Sequence, residues 1–233
     1  MRLIALDTAT ESVSAALADG EKLAVRLETE RNRHTERLLP LVDEVLRENG
    51  LKPADLDVIA FGAGPGAFTG LRVACGVAQG LAWALEKPVV AVSNLQAAAV
   101  RAQTMGAAGV ILIALDARMG ECYAGAFKLG EGLAQALTEP ELIKPQDAAQ
   151  IAERFGCTVA AGSGVDLYGD KLALPAGVTL LRGVAPDAGD IARIALVMAQ
   201  RGETTSAALA SPLYVRNRVA LTIEERARGE RLQ

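Results

Sequence analysis

The first turn of the chain gathers side chains that could hold a phosphate group and its metal ion. Asp7, Thr8, Thr10 and Ser12 directly follow a short apolar run. In a nucleotide-binding hairpin, hydroxyl groups of this kind bind phosphate oxygens while a carboxylate holds the divalent cation. However, Glu11 adds a negative charge in the same turn, and no glycine opens it. The turn therefore has the residue types of a phosphate site but lacks part of its construction.

A glycine-rich loop at residues 62–66 is the second feature that could bind an anion. It follows the apolar stretch 58–61, and its backbone N–H groups could face an anion at the start of a predicted helix. The loop matches neither the dinucleotide fingerprint nor the phosphate loop that ends in Gly-Lys-Ser/Thr. A tight turn that brings the helix close to the strand is the alternative that the spacing alone favours. We assign a possible nucleotide or anion contact to Asp7, Thr8, Thr10, Gly64 and Gly66.

The histidine and cysteine content excludes several classes of enzyme. His34 is the only histidine in the chain, whereas a zinc protease needs two spaced histidines. It lies in a polar stretch just before a predicted helix, so a surface or capping role fits it better than catalysis. Cys75, Cys122 and Cys157 are widely spaced and form no metal-binding, redox or secreted-disulfide pattern. We predict that they are buried free thiols in a reducing compartment.

The composition argues against a protein that binds RNA tightly by itself. The formal net charge is −4 at pH 7, and aromatic residues make up only 3% of the chain. Phosphate neutralisation and base stacking are the main sources of affinity for nucleic acid. A mild excess of basic residues occurs only near residues 216–231.

The amino terminus becomes charged at Asp7, and no apolar run reaches the length of a membrane span. We therefore expect a cytoplasmic protein that does not insert into a membrane.

Hydrophobic periodicity and turn signals predict an α/β protein with two related lobes. Strands are predicted at residues 3–6, 13–18, 22–28, 58–61, 88–92, 110–115, 122–128, 142–144 and 159–161. Helices are predicted at residues 35–49, 70–85, 95–105, 145–155 and 190–200. Both halves begin with a strand, an aspartate in a turn and a second strand, with Asp7 and Asp116 in matching places. We predict a first lobe at residues 1–105, to which residues 206–233 return, a second lobe at 106–205 and a cleft between them.

The helix predicted from residue 70 carries small residues at helical intervals. They form two rows, one of Ala74, Ala78 and Ala82 and the other of Gly76, Gly80 and Ala84. Rows of small residues allow another helix to approach at a short backbone distance. Because glycine in a helix interior costs about 1 kcal/mol relative to alanine, a packing reason is expected. Packing inside the lobe and packing across a subunit interface are equally compatible with this pattern.

Five segments of the chain resemble the bacterial TsaB (YeaZ) family, in the same order. Residues 4–10 read IALDTAT, 34–40 read HTERLLP, 64–72 read GPGAFTGLR, 115–121 read LDARMGE and 212–216 read PLYVR. The likeness runs nearly from end to end and is weakest between about residues 125 and 205. The glycine-rich segment combined with the downstream LDARMGE segment is highly specific.

The resemblance implies two RNase H-like lobes of the actin, sugar-kinase and heat-shock-ATPase superfamily. It also implies a non-catalytic subunit of the complex that forms N6-threonylcarbamoyladenosine beside the anticodon of tRNAs that decode ANN codons. In that system the paralogue TsaD is the catalytic, metal-binding transferase and TsaE is a small ATPase. The family member binds and activates TsaD through its first lobe and can form homodimers. The resemblance thus implies TsaD and TsaE as partners, tRNA through the complex, no intrinsic cofactor and a possible nucleotide at a subunit interface.

The chain departs from the catalytic paralogue at the positions that matter for chemistry. TsaD carries a His-x-x-x-His pair just after its equivalent of residues 90–93, where this chain has Asn94 and Ala98. TsaD also has a Ser-Gly-Gly-type phosphate turn where this chain has residues 116–121. An independent peptidase or nucleotide-dependent enzyme is the alternative hypothesis, and a general chaperone-like binder is a third.

The two helices that begin near residues 35 and 70 are our hypothesis for the partner interface. Their small and apolar side chains offer more area than one packing face needs, and an open apolar patch invites association. The residues assigned to this interface are Leu38, Val42, Val45, Leu46, Arg72, Ala74, Gly76, Ala78, Gly80 and Ala82.

Overall fold

The computed structural model describes residues 1–29, 33–130, 133–215 and 228. These residues form two mixed β-sheets with helices packed on their faces. The strands are β1 (Arg2–Asp7), β2 (Val13–Asp19), β3 (Lys22–Glu28), β4 (Val58–Gly64), β5 (Val89–Ser93), β6 (Val110–Asp116), β7 (Cys122–Lys128), β8 (Gln135–Ala136), β9 (Glu141–Ile143), β10 (Val159–Ala161) and β11 (Thr179–Leu181). The helices are α1 (His34–Glu48), α2 (Phe68–Leu85), α3 (Asn94–Thr104), α4 (Ala148–Phe155), α5 (Ser163–Tyr168) and α6 (Ala188–Gln200).

The first sheet has the strand order β3-β2-β1-β4-β5. Strands β1, β2 and β3 form an antiparallel meander, while β4 and β5 run parallel to β1. Gly20, with a φ of 63°, supplies the left-handed residue of the tight turn between β2 and β3. Three antiparallel strands followed by two parallel ones are the arrangement of an RNase H-like lobe.

The second sheet repeats this pattern with shorter strands. Its order is β11-β10-β6-β7-β8, with β9 also paired to β7. Strands β6 and β7 are antiparallel, whereas β10 and β11 run parallel to β6. Asp7 ends β1 and Asp116 ends β6, so the two aspartates occupy equivalent positions as the sequence predicted. The very short β8 and β11 and the helix α5 escaped prediction because two to six residues show no clear periodicity. Helix α4 begins later than predicted because residues 145–147 form a separate 3₁₀ turn.

Helix α2 packs one row of alanines against the first sheet. Ala74, Ala78 and Ala82 lie in the same buried cluster as Leu38 of α1 and Phe61 of β4. A row without long side chains lets the α2 backbone approach the sheet closely. The row formed by Gly76, Gly80 and Ala84 lies on the opposite, exposed side of the helix. The structure thus assigns the alanine row to packing within the chain.

Helices α3 and α6 pack between the two sheets. A single buried cluster contains Leu3 and Val90 from the first sheet, Ile113 from the second and Ile191 from α6. Helix α3 contacts strands of both sheets, whereas α6 contacts β1, β2 and β4. The predicted second lobe, residues 106–205, includes α6, but this helix lies on the first sheet. The apolar periodicity of α6 predicts that one face is buried, but it does not say against which sheet.

After α6 the chain returns to the first sheet along the edge of β5. Thr205 and Val89 exchange two backbone hydrogen bonds of 2.8 Å. The Leu213 backbone N–H donates to the Ala63 carbonyl at 2.7 Å. We call residues 203–215 the C-terminal strap. The rest of the predicted return, apart from Arg228, lies outside the described residues, and so does most of the basic stretch 216–231. None of the helices within the described ranges combines the length and apolar character that a membrane span requires.

Ala78→Arg is expected to prevent folding or to lower the melting temperature strongly. Ala78 is fully buried, and an unpaired charge in a dry core costs several kcal/mol, out of a total stability of roughly 5–15 kcal/mol. Gly80→Arg, on the exposed side of the same helix, is the matched control and should melt close to the wild type. Circular dichroism melting curves make the comparison. A stable, folded Ala78→Arg protein would mean that α2 does not pack on this row.

Candidate functional site

Asp7 is a fully buried carboxyl group at the end of β1. Its Oδ1 accepts hydrogen bonds from the Asn94 side-chain amide at 2.8 Å and from the Ala9 backbone N–H at 3.4 Å. Its Oδ2 has no partner among the described residues. Burial raises the pKa of Asp7 to about 7, since the loss of hydration outweighs both hydrogen bonds and the negative charges of Asp187 and Asp190 add to it. Near neutral pH this carboxyl therefore exchanges between its protonated and ionised forms.

Asn94 connects Asp7 to the glycine-rich loop. Its side-chain Oδ1 accepts the backbone N–H of Gly64 at 2.7 Å while its amide donates to Asp7. Gly62 lies against the same carboxyl, and a Cβ at this position would be 2.2 Å from Asp7 Oδ1. Only glycine fits there. Asn94 thus makes a buried structural bridge, and Ala98, one turn further along α3, is buried in the central cluster.

The turn after β1 is pressed against the start of α2. The Thr8 hydroxyl donates to the Gly70 carbonyl at 2.6 Å, and the Ala67 backbone N–H donates to the Ala9 carbonyl at 2.9 Å. A Cβ on Gly70 would lie 1.8 Å from the Thr8 carbonyl oxygen. The glycines of this motif therefore serve close contact between strand turn and helix, which is the alternative that the spacing favoured.

The predicted anion contacts are largely engaged within the chain. The Thr8 hydroxyl and the Gly64 N–H each have an internal hydrogen-bond partner, and Asp7 and Thr8 are buried. Thr10 shares a hydrogen bond of 2.9 Å with Ser12. A Cβ on Gly66 would lie 2.7 Å from the Ala9 carbonyl, so this glycine also serves close packing. Anion binding by these five residues stays a prediction, but two of the donors it needs are already used.

The matching turn of the second sheet is also filled by its own side chains. Asp116 Oδ1 accepts hydrogen bonds from the Arg118 backbone N–H at 2.9 Å and from the Tyr168 hydroxyl at 3.2 Å. The Arg118 guanidinium pairs with Asp116 at 3.2 Å and with Glu11 of the first turn at 3.5 Å. Arg118 thus forms ion pairs with both turns and joins them. His34, which begins α1, also contacts this turn, with its Nε2 3.2 Å from the Glu11 carbonyl.

An ion-pair cluster that the sequence reasoning missed lies at the start of α6. Arg101 of α3 pairs with both Asp187 and Asp190, and its Nε lies 2.8 Å from Asp190 Oδ2. Asp187 caps α6 by accepting the Gly189 N–H at 2.7 Å, and Asp190 completes the capping box. Burial raises the pKa of Asp190. The Asp-x-x-Asp spacing before an apolar run was the signal that could have identified the cap. Within the described ranges, no group of three or more His, Cys, Asp or Glu side chains is placed to hold a metal ion.

The partner interface stays a prediction, but seven of its ten residues are buried in the core of the single chain. These seven are Leu38, Val42, Val45, Leu46, Ala74, Ala78 and Ala82. The periodicity correctly marked them as apolar, but one packing face of each helix accounts for them. Arg72, Gly76 and Gly80 remain exposed on α2. The predicted burial of the three free cysteines is confirmed.

Aromatic and cationic side chains cluster at the start of this exposed side. The Arg72 guanidinium lies 3.7 Å from the centre of the Phe68 ring, and its Nε donates to the Tyr214 hydroxyl at 3.0 Å. The Gln79 side chain further along α2 donates to the Ala210 carbonyl at 2.9 Å. These hydrogen bonds hold the C-terminal strap against one side of α2.

Asp7→Asn is expected to remove a pH dependence of stability. The pKa of Asp7 rises from its ordinary value of 3.8 to about 7 on folding, so the folded protein holds this proton more tightly than the unfolded chain. The free energy of unfolding should therefore fall between about pH 4 and pH 7, by roughly 4 kcal/mol, and level off above. Asparagine mimics the neutral acid, so the variant should be the more stable protein at pH 8.

Urea unfolding at pH 5, 6, 7 and 8 measures this difference. Asp19→Asn neutralises a half-buried aspartate of the same sheet, which pairs with Arg2 at 3.4 Å, and should keep the shape of the wild-type pH profile. Equal pH profiles for Asp7→Asn and the wild type would show that Asp7 is ionised throughout this range.

Comparison with known proteins gives consistent results along the chain. A family profile described as "TsaD: tRNA N6-adenosine threonylcarbamoyltransferase" matches residues 28–179. The tRNA threonylcarbamoyladenosine biosynthesis protein TsaB of Escherichia coli is 36% identical over 224 residues, which cover 94% of this chain and 96% of that protein. The protein of the same name from Haemophilus influenzae is 36% identical over 236 residues, which cover 94% of this chain and 95% of that protein.

Solved structures agree with the sequence comparison. YeaZ from Pseudomonas aeruginosa superimposes with a TM-score of 0.83 at 38% identity, covering 91% of this chain and 99% of that one. A second structure, described as similar to peptidase YeaZ from Pseudomonas aeruginosa, gives a TM-score of 0.83 at 37% identity, covering 92% of this chain and 99% of that one. Together with the two mixed sheets, these matches confirm the predicted fold class. The chain belongs to the TsaB (YeaZ) family.

Proposed function

We propose that this chain is a non-catalytic partner subunit of a TsaD-type threonylcarbamoyltransferase, acting in the formation of N6-threonylcarbamoyladenosine in tRNA. The observation that carries the proposal is the internal closure of the site at Asp7. Asn94 bridges Asp7 and the Gly64 N–H, at a position where the resemblance places a histidine in the catalytic paralogue. We accordingly assign the chain no metal or cofactor of its own. Relatives of high similarity are named as tRNA threonylcarbamoyladenosine biosynthesis proteins, which supports the pathway.

An independent enzyme is the weaker alternative. A carboxyl group with a pKa of about 7 is suited to general acid–base catalysis, and one similar structure is described as like a peptidase. Asp7 is nevertheless fully buried, and one of its oxygens is held by Asn94. A substrate would have to displace these contacts. A general chaperone-like role would predict many partners instead of one paralogue.

The exposed side of α2 is the surface that we propose for the partner. We call Arg72, Gly76, Gly80, Trp83 and Ala84 the open face of α2. A Cβ added to Gly76 or Gly80 would meet nothing within 4 Å, so packing within the chain does not require either glycine. Each glycine costs about 1 kcal/mol relative to alanine in a helix interior. A partner helix that crosses the open face at short backbone distance would account for that cost.

The side chains around these glycines are of the types that dominate binding energy. Trp83 is 73% exposed, and the cluster of Phe68, Arg72 and Tyr214 flanks the other end. Trp, Tyr and Arg are enriched among interface hot spots. We propose TsaD as the partner on this face, with TsaE and tRNA joining through the complex in the cytoplasm. A second copy of the chain could cover the same face, and a nucleotide at a subunit interface is part of the same proposal.

Loss of this protein from its native cell should deplete N6-threonylcarbamoyladenosine, although no catalytic residue is lost. The expected reason is that this chain holds TsaD in its competent conformation. That effect requires only that the chain binds this conformation with higher affinity than the others. Mass spectrometry of digested tRNA measures the modification, and the reintroduced wild-type gene is the control. Unchanged modification in a deletion strain without a second copy would refute the assignment.

Gly80→Arg should abolish binding of TsaD from the same organism while leaving the chain folded. A long charged side chain in a close helix contact is expected to cost about 2 kcal/mol or more, roughly 30-fold in affinity. Calorimetry or co-elution measures the loss. Gln150→Arg, an exposed position on α4, adds the same charge elsewhere and should bind normally.

Trp83 provides a second readout, since it is the only tryptophan in the chain. Replaced by 5-hydroxytryptophan, it can be excited selectively, and its emission should shift to shorter wavelength when TsaD covers it. Full-strength binding by Gly80→Arg together with unchanged emission would place the interface on another face.

A further inference from the structure

A groove lies between the C-terminal end of α2 and the first part of the C-terminal strap. Its volume is about 830 Å³, within the range of about 300–1,000 Å³ that is usual for binding clefts. The groove is lined by Trp83 of α2, by Pro88 just before β5 and by residues 204–208 of the strap. It adjoins the open face of α2, because Trp83 belongs to both surfaces.

The strap brings an open strand edge to this groove. Thr205 uses its backbone N–H and its carbonyl for two hydrogen bonds of 2.8 Å with Val89. In an extended chain, the Thr204 carbonyl and the Ser206 N–H must then point away from β5. Neither of these two groups has a hydrogen-bond partner among the described residues, and both residues line the groove.

These two backbone groups match the needs of a second extended chain. One residue of an added parallel strand could donate its N–H to the Thr204 carbonyl and accept the Ser206 N–H at its own carbonyl. An unpaired strand edge is a template for this kind of pairing. The backbone therefore indicates an extended polypeptide segment as the ligand of the groove.

The side chains around the edge support the same ligand class. Trp83 and Leu209 are 73% and 74% exposed, so large apolar surfaces stand open beside the strap. Glu86 and Lys87 also line the groove, and their opposite charges give it no preference for an anion or a cation. In binding by strand addition, backbone hydrogen bonds provide affinity and neighbouring apolar pockets select the side chains.

We propose that this groove binds an extended segment of TsaD by strand addition, with a large apolar side chain of that segment packed against Trp83. This inference rests on the proposed function, because it takes TsaD as the partner on the open face of α2. A helix of TsaD that crosses the open face brings the neighbouring part of TsaD to the groove, since the two surfaces share Trp83. Thr204 and Ser206 are then binding residues that act through their backbone groups.

Amide hydrogen exchange at Ser206 tests the assignment directly. In the isolated chain this amide should exchange close to its intrinsic rate at every protein concentration. With saturating TsaD from the same organism, exchange should slow by at least about ten-fold, because the amide then donates to the added segment. The Thr205 amide, which already donates to Val89, is the internal reference and should be protected in both states.

Other occupants of the groove would give different exchange results. Protection of Ser206 in a dilute sample of the isolated chain would mean that another segment of the same chain fills the groove. Protection that rises with concentration would mean that a second copy fills it, and either result overturns the assignment to TsaD. Unprotected Ser206 in a TsaD complex also overturns it, while the proposed function stands. If TsaD does not bind the wild type, the proposed function is wrong and this inference falls with it.

Two substitutions at Ser206 measure the contribution of the backbone hydrogen bond to affinity. Ser206→Pro removes the N–H, whereas Ser206→Ala keeps it and removes only the hydroxyl. Proline is compatible with the residue before it, because Thr205 is extended. Ser206→Pro should bind TsaD about ten-fold more weakly than Ser206→Ala, since a carbonyl of the bound segment loses its donor. Melting curves of the two variants establish that both are folded.

Ala208→Arg tests the groove without changing the backbone of the strap. Ala208 is exposed and lines the groove, so a long charged side chain there should obstruct the segment and weaken TsaD binding by about ten-fold. Gln150→Arg adds the same charge on α4 and should bind normally. Wild-type affinity in Ala208→Arg, or in a folded Ser206→Pro, would show that TsaD does not use the groove.

Discussion

Close contact between the turn after β1 and the first turn of α2 determines the arrangement of the first lobe. Gly62 and Gly70 allow this contact because any Cβ at either position would collide with Asp7 or Thr8. The contact fixes where α2 crosses the sheet, and therefore which side of α2 is exposed. Asp7 lies fully buried at this contact. The exposed side of α2 is thus a consequence of the same close packing.

The alanine-rich composition is part of the same design. The central cluster uses small residues such as Ala97, Ala98 and Ala195 to bring α3 and α6 close to both sheets. Packing of this kind binds the two halves through backbone proximity, with only 3% aromatic residues in the chain. It leaves little room for side chains to rearrange, because protein interiors are already close-packed.

The two turns that have residue types of a phosphate site are engaged by the chain's own polar groups. Asn94 holds one oxygen of Asp7 and the Gly64 N–H, Arg118 joins the two turns, and Arg101 pairs with both Asp187 and Asp190 nearby. Each internal bond removes a donor or a charge that a ligand would need. Under the proposed function, the chain keeps the two-sheet fold and uses its surface to bind another subunit.

The amino-acid sequence by itself was enough to predict the longer helices and strands and the equivalent positions of Asp7 and Asp116. Its single histidine also argues against zinc-protease and Ser-His-Asp chemistry. Periodicity and turn residues are local, so one chain is enough to read them. The sequence could not decide which of the two rows of small residues on α2 faces the sheet, because Ala78 and Gly80 both permit close approach of the helix backbone to a neighbouring element. It could not predict that the charges of Asp187 and Asp190 act on Asp7, since burial and charge neighbours depend on contacts between distant segments. Those contacts are decided only in the tertiary structure. Because of them, a turn with the residue types of a phosphate site is buried and hydrogen-bonded within the chain.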